Sequence, residues 1–342
     1  MRAFQLSGIH DLSTQSAPLQ RVDVPIPKPG KKQILIKVSC CGVCHTEIDE
    51  IEGRTPPAKL PVIPGHQVVG RVAKKGRGTK TFNIGDRVGV AWIFSACGEC
   101  EFCISGRENL CSDFVATGRD INGGYGQYMA VSEKFAYPIP PVFSDIEAAP
   151  LLCAGAIGYR ALKLSGIADG EKLGLTGFGT SGHIVLKLAK HLYPALKIYV
   201  FARSKKERDF AMELGACWSG ESSEKTGDKL HAIIDTTPVW KPVVDSLSNL
   251  KEGGRLVINA IRKEEVDKES LLAMDYPSHL WLEKEIKSVA NITRDDVSEF
   301  LEIAAQIPLK SHVEVFALEN ANKALLELKE GKIKGAKVLK IG

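Results

Sequence analysis

Through the first 150 residues, short β-branched runs alternate with glycine and proline punctuation. QILIKVS at 33–39 and VVGRVA at 68–73 are such runs; PIPKPGKK at 25–32 and FNIGDRVGV at 82–90 are such breaks. The pattern predicts a β-rich first part. From about residue 155 the texture changes. KLGLTGFG is followed by HIVLKLAKHL, KIYVFAR by KKERDFAMELGA, HAIIDTT by VVDSLSNLK, then come GRLVINA and EIKSVAN, and RDDVSEFLEIAAQI closes the series. Continuous apolar strands alternating with helical stretches predict a parallel sheet covered by helices, an α/β arrangement. After about 305 the order is strand (VEVFAL), helix (ENANKALLELKEG), strand (KVLKI), a tail able to rejoin the first part.

Length and composition narrow the class. A chain of 342 residues is long for one core, which points to two domains. Its 44% hydrophobic and 25% charged residues are those of an ordinary globular protein. The net charge of +4 comes from 45 basic and 41 acidic residues, too even a balance to argue for nucleic acid. No run approaches the roughly 20 apolar residues of a membrane span, and MRAFQLSGIHDLSTQ carries no apolar signal core. A cytoplasmic protein is expected, without nucleic-acid or membrane partners.

Four of the nine cysteines fall within CGECEFCISGRENLC, at Cys97, Cys100, Cys103 and Cys111. Thiolates this close in sequence can converge on one tetrahedral ion, and zinc accepts four of them in structural sites. An iron–sulfur cluster is the rival reading. The bacterial ferredoxin run has a shorter last gap followed by proline, whereas here Ser112 follows Cys111. Cysteines clustered at metal-site spacing fit a reducing compartment better than a disulfide scaffold. Cys40, Cys41 and Cys217 are expected to be ordinary packing residues.

Residues 177–182 read GFGTSG, a G-x-G-x-x-G pattern after an apolar run and at the opening of a helical stretch. In that context the motif predicts a dinucleotide site. Gly177 would permit the tight turn, Gly179 the approach of backbone to pyrophosphate, and Gly182 close helix–strand packing. The helix N-terminus would then face the phosphates. About 20 residues on, an NAD site usually places an acid. Here Ala202 takes that place, followed by Arg203, Ser204 and Lys205. A guanidinium there can grip a 2′-phosphate that a carboxylate would repel. NADP(H) is therefore favoured and NAD(H) remains possible.

Three further segments contain candidate ligands: GVCHTE at 42–47, IPGHQVVG at 63–70 and APLLCAG at 149–155. With these, the GDRVG turn (85–89), the four-cysteine lobe, the GGYGQY stretch (123–128) and the GFGTSG fingerprint, the whole chain resembles the zinc-dependent alcohol dehydrogenase family of the medium-chain dehydrogenase/reductase superfamily. The resemblance implies a GroES-like β-barrel catalytic domain over 1–152 with a structural-zinc lobe at about 95–113. It also implies a doubly wound Rossmann domain over 153–292 and a segment 293–342 returning to the first domain. Two zinc ions per chain are implied. Cys44, His66 and Cys153 would hold the catalytic ion, and Cys97, Cys100, Cys103 and Cys111 the structural one. Thr46 matches the hydroxyl that bonds the substrate oxygen, Glu47 the carboxylate that orients His66, and His45 a basic contact to the pyrophosphate. A homodimer or homotetramer is implied as well.

Four positions depart from the family pattern. Gln67 replaces the Glu of a GHE string, and Asp49 replaces a histidine that ends the proton relay. The AWIFSACG string around Phe94 is more apolar than usual, and Ala336 replaces a cofactor-binding arginine that Lys337 would have to substitute. Trp92, Ile93, Phe94 and Trp281 are candidates for a pocket lining or for ordinary packing. The expected activity is hydride transfer between a primary alcohol, or its aldehyde, and the nicotinamide. The alternatives are a zinc-free quinone or enoyl reductase on the same fold, and a non-catalytic zinc-binding redox sensor. Neither alternative requires all of Cys44, His66, Thr46 and the four lobe cysteines.

Overall fold

The 11-residue strand Gln33–Val43 is buried along almost its whole length, which is why its sequence is apolar nearly throughout rather than alternating. The computed structural model describes residues 1–307, 309, 312–331 and 335–342, the side chain of Thr180 excepted. The chain divides into two units, Met1–Cys153 with Ile292–Gly342, and Ala154–Asn291.

In the first unit, Gln33–Val43 pairs antiparallel with Val68–Lys75, Tyr128–Ser132 and Ala336–Lys340. The last of these pairs parallel with Val313–Ala317, so the C-terminal tail extends the same sheet. Arg87–Val90 and Ala136–Pro138 continue it beyond Val68–Lys75. Ile34, Ile36, Ile51, Ile63, Tyr125 and Met129 are the large side chains of its core.

Pairing register delivers the chemistry. Cys41 lies opposite Val68, and Gly42 N donates to Gln67 O at 2.9 Å. The end of one strand and the start of the other therefore carry Cys44 and His66 to the same edge. At Gly42 any side chain would collide with Gln67, since a Cβ there would lie 2.3 Å from its Oε1. Cys153 follows the 3-10 turn Ala149–Leu152, whose residues are buried against Gln33–Val43 and Val68–Lys75.

The second unit is a six-stranded all-parallel sheet. Its order is Trp218–Gly220, Lys197–Phe201, Lys172–Thr176, Leu230–Asp235, Leu250–Ile258, Glu285–Ser288. That is the doubly wound dinucleotide-binding order, with the reversal beside Lys172–Thr176. Phe201, Ile233, Val243, Leu247 and Leu256 pack one face of it. The last strand differs from the sequence expectation of buried strands: Glu285–Ser288 is exposed throughout because it is the sheet's edge.

Candidate functional site

Cys44 caps the helix His45–Ile51, and Glu47, three residues on, closes the capping box by accepting from Cys44 N at 2.7 Å. The other oxygen of Glu47 lies 2.5 Å from His66 Nδ1, with both residues fully buried. One carboxylate thus fixes the helix start and the imidazole together. A carboxylate at that position keeps a proton on Nδ1, so Nε2 is the nitrogen that can turn a lone pair to a cation. His66 Nε2 is buried with no hydrogen-bond partner among the described residues. The Cys44 sulfur, a His66 ring nitrogen and the Cys153 sulfur all lie within 4.8 Å of one another.

The electrostatics of the trio are those of a cation site. Cys44 is held well below the ordinary thiol range by a hydrogen bond from Cys153, against the cost of burial and with help from His66. Cys153 goes well above it through the same bond and burial. Burial opposes a charged His66, but the Glu47 carboxylate and the Cys44 sulfur outweigh it and raise the imidazole. A divalent cation would displace the protons so gathered. Two thiols and an imidazole nitrogen form a donor set that zinc takes with its fourth position open, so these residues fit such an ion.

Around the trio, Thr46 is buried with Oγ1 3.6 Å from the Cys44 sulfur. His45 is exposed at the first position of its helix. Asp49 is buried, and its Oδ1 accepts from Arg54 Nε at 2.6 Å while its carbonyl receives the amides of Arg54 and Thr55. It anchors the turn that ends the helix. Glu50, which the sequence did not single out, is only 2% exposed. Burial and the nearby Glu47 raise its carboxyl well above the usual range, against the pull of His66 and Arg119. Its spacing of three from Glu47 and four from Thr46 on one helix was the available signal. Trp92 is buried beside Phe114 (ring centroids 4.9 Å apart), and the Arg119 guanidinium lies 5.2 Å from its ring. Trp281, by contrast, is exposed and pairs with Tyr276. Lys337 is engulfed by Glu314 and Glu327 at 2.7 and 2.8 Å, which commits it within its own unit.

The four lobe cysteines also converge. Cys97 Sγ is 3.7 Å from Cys103 Sγ and 3.5 Å from Cys111 Sγ. Thiolates on one tetrahedral zinc stand about 3.8 Å apart, from a Zn–S length of about 2.3 Å. The spacing is far too long for a disulfide, and it suits one ion better than sulfurs spread over several irons. The amides of Cys100 and Cys103 point at the sulfurs three residues before them. Backbone donors from Glu99 and Cys100 bring the Cys97 thiol down to about 7. Glu108, inside the lobe and buried, accepts from Arg294 N and Nε at 2.8 and 3.0 Å and so ties the lobe to the helix Arg294–Gln306.

In the second unit, Gly177 has φ +78°, a conformation that favours glycine, and a Cβ there would lie 2.8 Å from Thr236 Oγ1. A Cβ on Gly182 would lie 2.9 Å from Gly177 O, so helix and turn pack at glycine distance. Nothing stands within 4 Å of a Cβ on Gly179, the N-cap of the helix Thr180–Leu192, which leaves an open cradle at a helix N-terminus. Such a cradle fits a pyrophosphate. Of the basic cluster, the Ser204 hydroxyl is occupied in a capping box with Glu207, and Lys205 pairs with Asp209 at 2.7 Å. Arg203 is exposed, with no ion-pair partner among the described residues. Among the described residues no helix is long and apolar enough to cross a membrane.

Comparison with known proteins agrees with this architecture. The alcohol dehydrogenase GroES-like domain family matches residues 30–141. A probable alcohol dehydrogenase of Mycobacterium tuberculosis is 38% identical over 346 residues, spanning 100% of this chain and 97% of its own. Among solved structures, a cinnamyl alcohol dehydrogenase of Sorghum bicolor superposes with a TM-score of 0.82 at 28% identity, covering 99% of this chain and 97% of its own. A cobalt- and zinc-bound thermostable alcohol dehydrogenase of Pyrobaculum aerophilum does so with 0.84 at 25% identity, covering 99% of each chain. The chain belongs to the zinc-type alcohol dehydrogenase family of the medium-chain dehydrogenase/reductase superfamily.

Proposed function

We propose that this protein is a zinc-dependent alcohol dehydrogenase interconverting a primary alcohol and its aldehyde, with NADP(H) preferred over NAD(H) and aldehyde reduction as the usual direction. The observation that carries the reading is the convergence of Cys44, His66 and Cys153, with the imidazole buried, its Nε2 unpartnered and its Nδ1 facing Glu47. That trio would hold the catalytic zinc, and the four lobe cysteines would close a second, structural ion to substrate. When bound, the ion supplies Lewis acidity toward an alcohol or carbonyl oxygen, and the nicotinamide gives or takes the hydride. Thr46, beside Cys44, accepts the hydroxyl proton at Oγ1 during oxidation and returns it during reduction. The Asp49 carboxylate is engaged with Arg54. We therefore place the next acceptor at solvent or the cofactor ribose rather than at Asp49. The amide of Gln67, packed over Gly42, removes the negative charge that a Glu at this position would bring.

The glycine turn and the N-terminus of Thr180–Leu192 would receive the pyrophosphate, and Arg203 the 2′-phosphate. The aromatic surface of Trp92 and Phe114 supports an aliphatic or aromatic substrate over a polyol, in keeping with the cinnamyl alcohol named for the Sorghum relative. Self-association as a dimer or tetramer belongs to the same reading. The exposed edge strand Glu285–Ser288 and the exposed Val266, Leu272 and Trp281 support it.

The test is turnover of benzaldehyde, cinnamaldehyde and short aliphatic aldehydes with NADPH and with NADH, alongside oxidation of sorbitol. NADPH is expected to be preferred. Arg203→Ala is expected to raise KM for NADPH about 10- to 100-fold, the worth of a charged hydrogen-bonding contact, and to leave NADH nearly unchanged. A strong NADH preference in the parent contradicts the cofactor assignment. Sorbitol oxidation without aldehyde reduction contradicts the substrate class.

A further inference from the structure

Asp235 ends the strand Leu230–Asp235 and is wholly buried. It lies at the C-terminal edge of the parallel sheet, where folds of this type take their ligands. The loop after the neighbouring strand Leu250–Ile258 carries Lys263, whose side chain is 6% exposed. Lys263 Nζ donates to Asp235 Oδ2 at 2.5 Å, to Thr237 O at 2.7 Å and to Val239 O at 2.9 Å. All three ammonium hydrogens are thereby used. The second oxygen of Asp235 accepts from Thr237 Oγ1 at 2.7 Å. Backbone ties reinforce the join: Asn259 N to Asp235 O and Glu264 N to Pro238 O, both at 2.7 Å. Asp267 receives Trp240 N and Lys241 N at 2.9 and 2.7 Å.

The far side of the fastened loop is the glycine turn. Thr236 N and Oγ1 donate to Thr176 O at 2.9 and 3.0 Å. A Cβ on Gly177 would meet Thr236 Oγ1 at 2.8 Å and Thr237 Cγ2 at 3.0 Å. Thr236 and Thr237 thus form one wall of the turn that begins the dinucleotide fingerprint. A buried ammonium–carboxylate pair loses much hydration, and apolar residues of similar volume often hold a core as well. Its occurrence here, with two carbonyls of one loop turned to a single lysine, fixes peptide planes that packing alone would leave adjustable.

We propose that Lys263 is a positioning residue for the dinucleotide, holding the 236–239 loop against Gly177 and so setting cofactor affinity. The proposal rests on the nicotinamide reading above. The test uses the full-length enzyme and compares the parent with Lys263→Met, Lys263→Arg and the double variant Asp235→Asn/Lys263→Met, which removes the uncompensated buried carboxylate. NADPH and NADH dissociation constants are measured by fluorescence titration without aldehyde, with kcat, both KM values, zinc content and Tm alongside.

Lys263→Met and the double variant are expected to weaken cofactor binding about tenfold or more, by loss of preorganisation. KM for aldehyde and zinc content should not change, and Lys263→Arg should recover part of the affinity. The double variant is expected to melt above the single one and still bind cofactor weakly, a separation that a purely structural role would not produce. If Lys263→Met fails to fold, the double variant decides. Cofactor binding within about twofold of the parent in a folded variant overturns the proposal, whatever the change in Tm. A parent that binds neither dinucleotide overturns the cofactor reading, and this proposal with it.

Discussion

Cys153→Ser is expected to lose roughly a thousandfold or more in kcat/KM for aldehyde reduction, since the Lewis acid is asked for several kcal/mol at about 1.4 kcal/mol per decade. The serine is nearly isosteric, and Cys153 follows the 3-10 turn Ala149–Leu152, whose residues are buried while Cys153 itself is half-buried. The fold should therefore survive, with Tm within a few degrees of the parent. His66 is a poorer choice for this test, because its removal strands the wholly buried Glu47 carboxylate. Steady-state kinetics, metal analysis and a thermal melt on one preparation check the prediction. Zinc should fall by one ion per chain while the lobe keeps its own. Retained activity with one ion fewer would remove the trio from the chemistry.

Cys103→Ser should show the opposite pattern, a loss of stability before any loss of chemistry. The lobe has little core of its own, and Cys103 and Cys111 are its buried sulfurs. A structural zinc contributes its binding free energy to folding. Losing about 4 kcal/mol of it, well under the roughly 10–16 kcal/mol of zinc-finger peptides, corresponds to a Tm drop of roughly 6 °C at about 1.4 °C per kcal/mol for a chain of 342 residues. The effect reaches past the lobe, because Glu108 anchors the start of Arg294–Gln306. Amide hydrogen exchange should show that helix start losing protection with the lobe. The residual folded enzyme should keep kcat within a few-fold of the parent. Calorimetry with exchange mass spectrometry reads both halves of the prediction.

What could be read from the chain follows how local each signal is. The parallel sheet was legible because its strands are buried on both faces and leave unbroken apolar runs between helical stretches. The lobe was legible because its four sulfurs lie within fifteen residues, so backbone alone brings them together. Long-range polar pairing left no such trace. Glu108 and Arg294 are 186 positions apart, and Lys263 meets Asp235 across 28. Neither residue of either pair stands out by type or spacing. Asp49 reads as a relay residue by sequence, and the structure adds Arg54, five positions on, as a partner of its carboxylate. Ser204 and Lys205 read as cofactor contacts, but local helix physics uses them first, one as a cap and one in an i,i+4 pair. Lys337 could stand in for the missing arginine by sequence alone, yet two glutamates enclose it. In each case the structure shows a partner for the residue that the motif alone does not reveal.

Anomalous diffraction at the zinc edge, from crystals grown without added metal, tests the central claim most directly. Two peaks per chain are expected. One should lie among Cys97, Cys100, Cys103 and Cys111, and the other about 2.3 Å from the Cys44 and Cys153 sulfurs and about 2.0–2.1 Å from His66 Nε2. A single peak in the lobe, with Cys44, His66 and Cys153 metal-free in an active preparation, would contradict it.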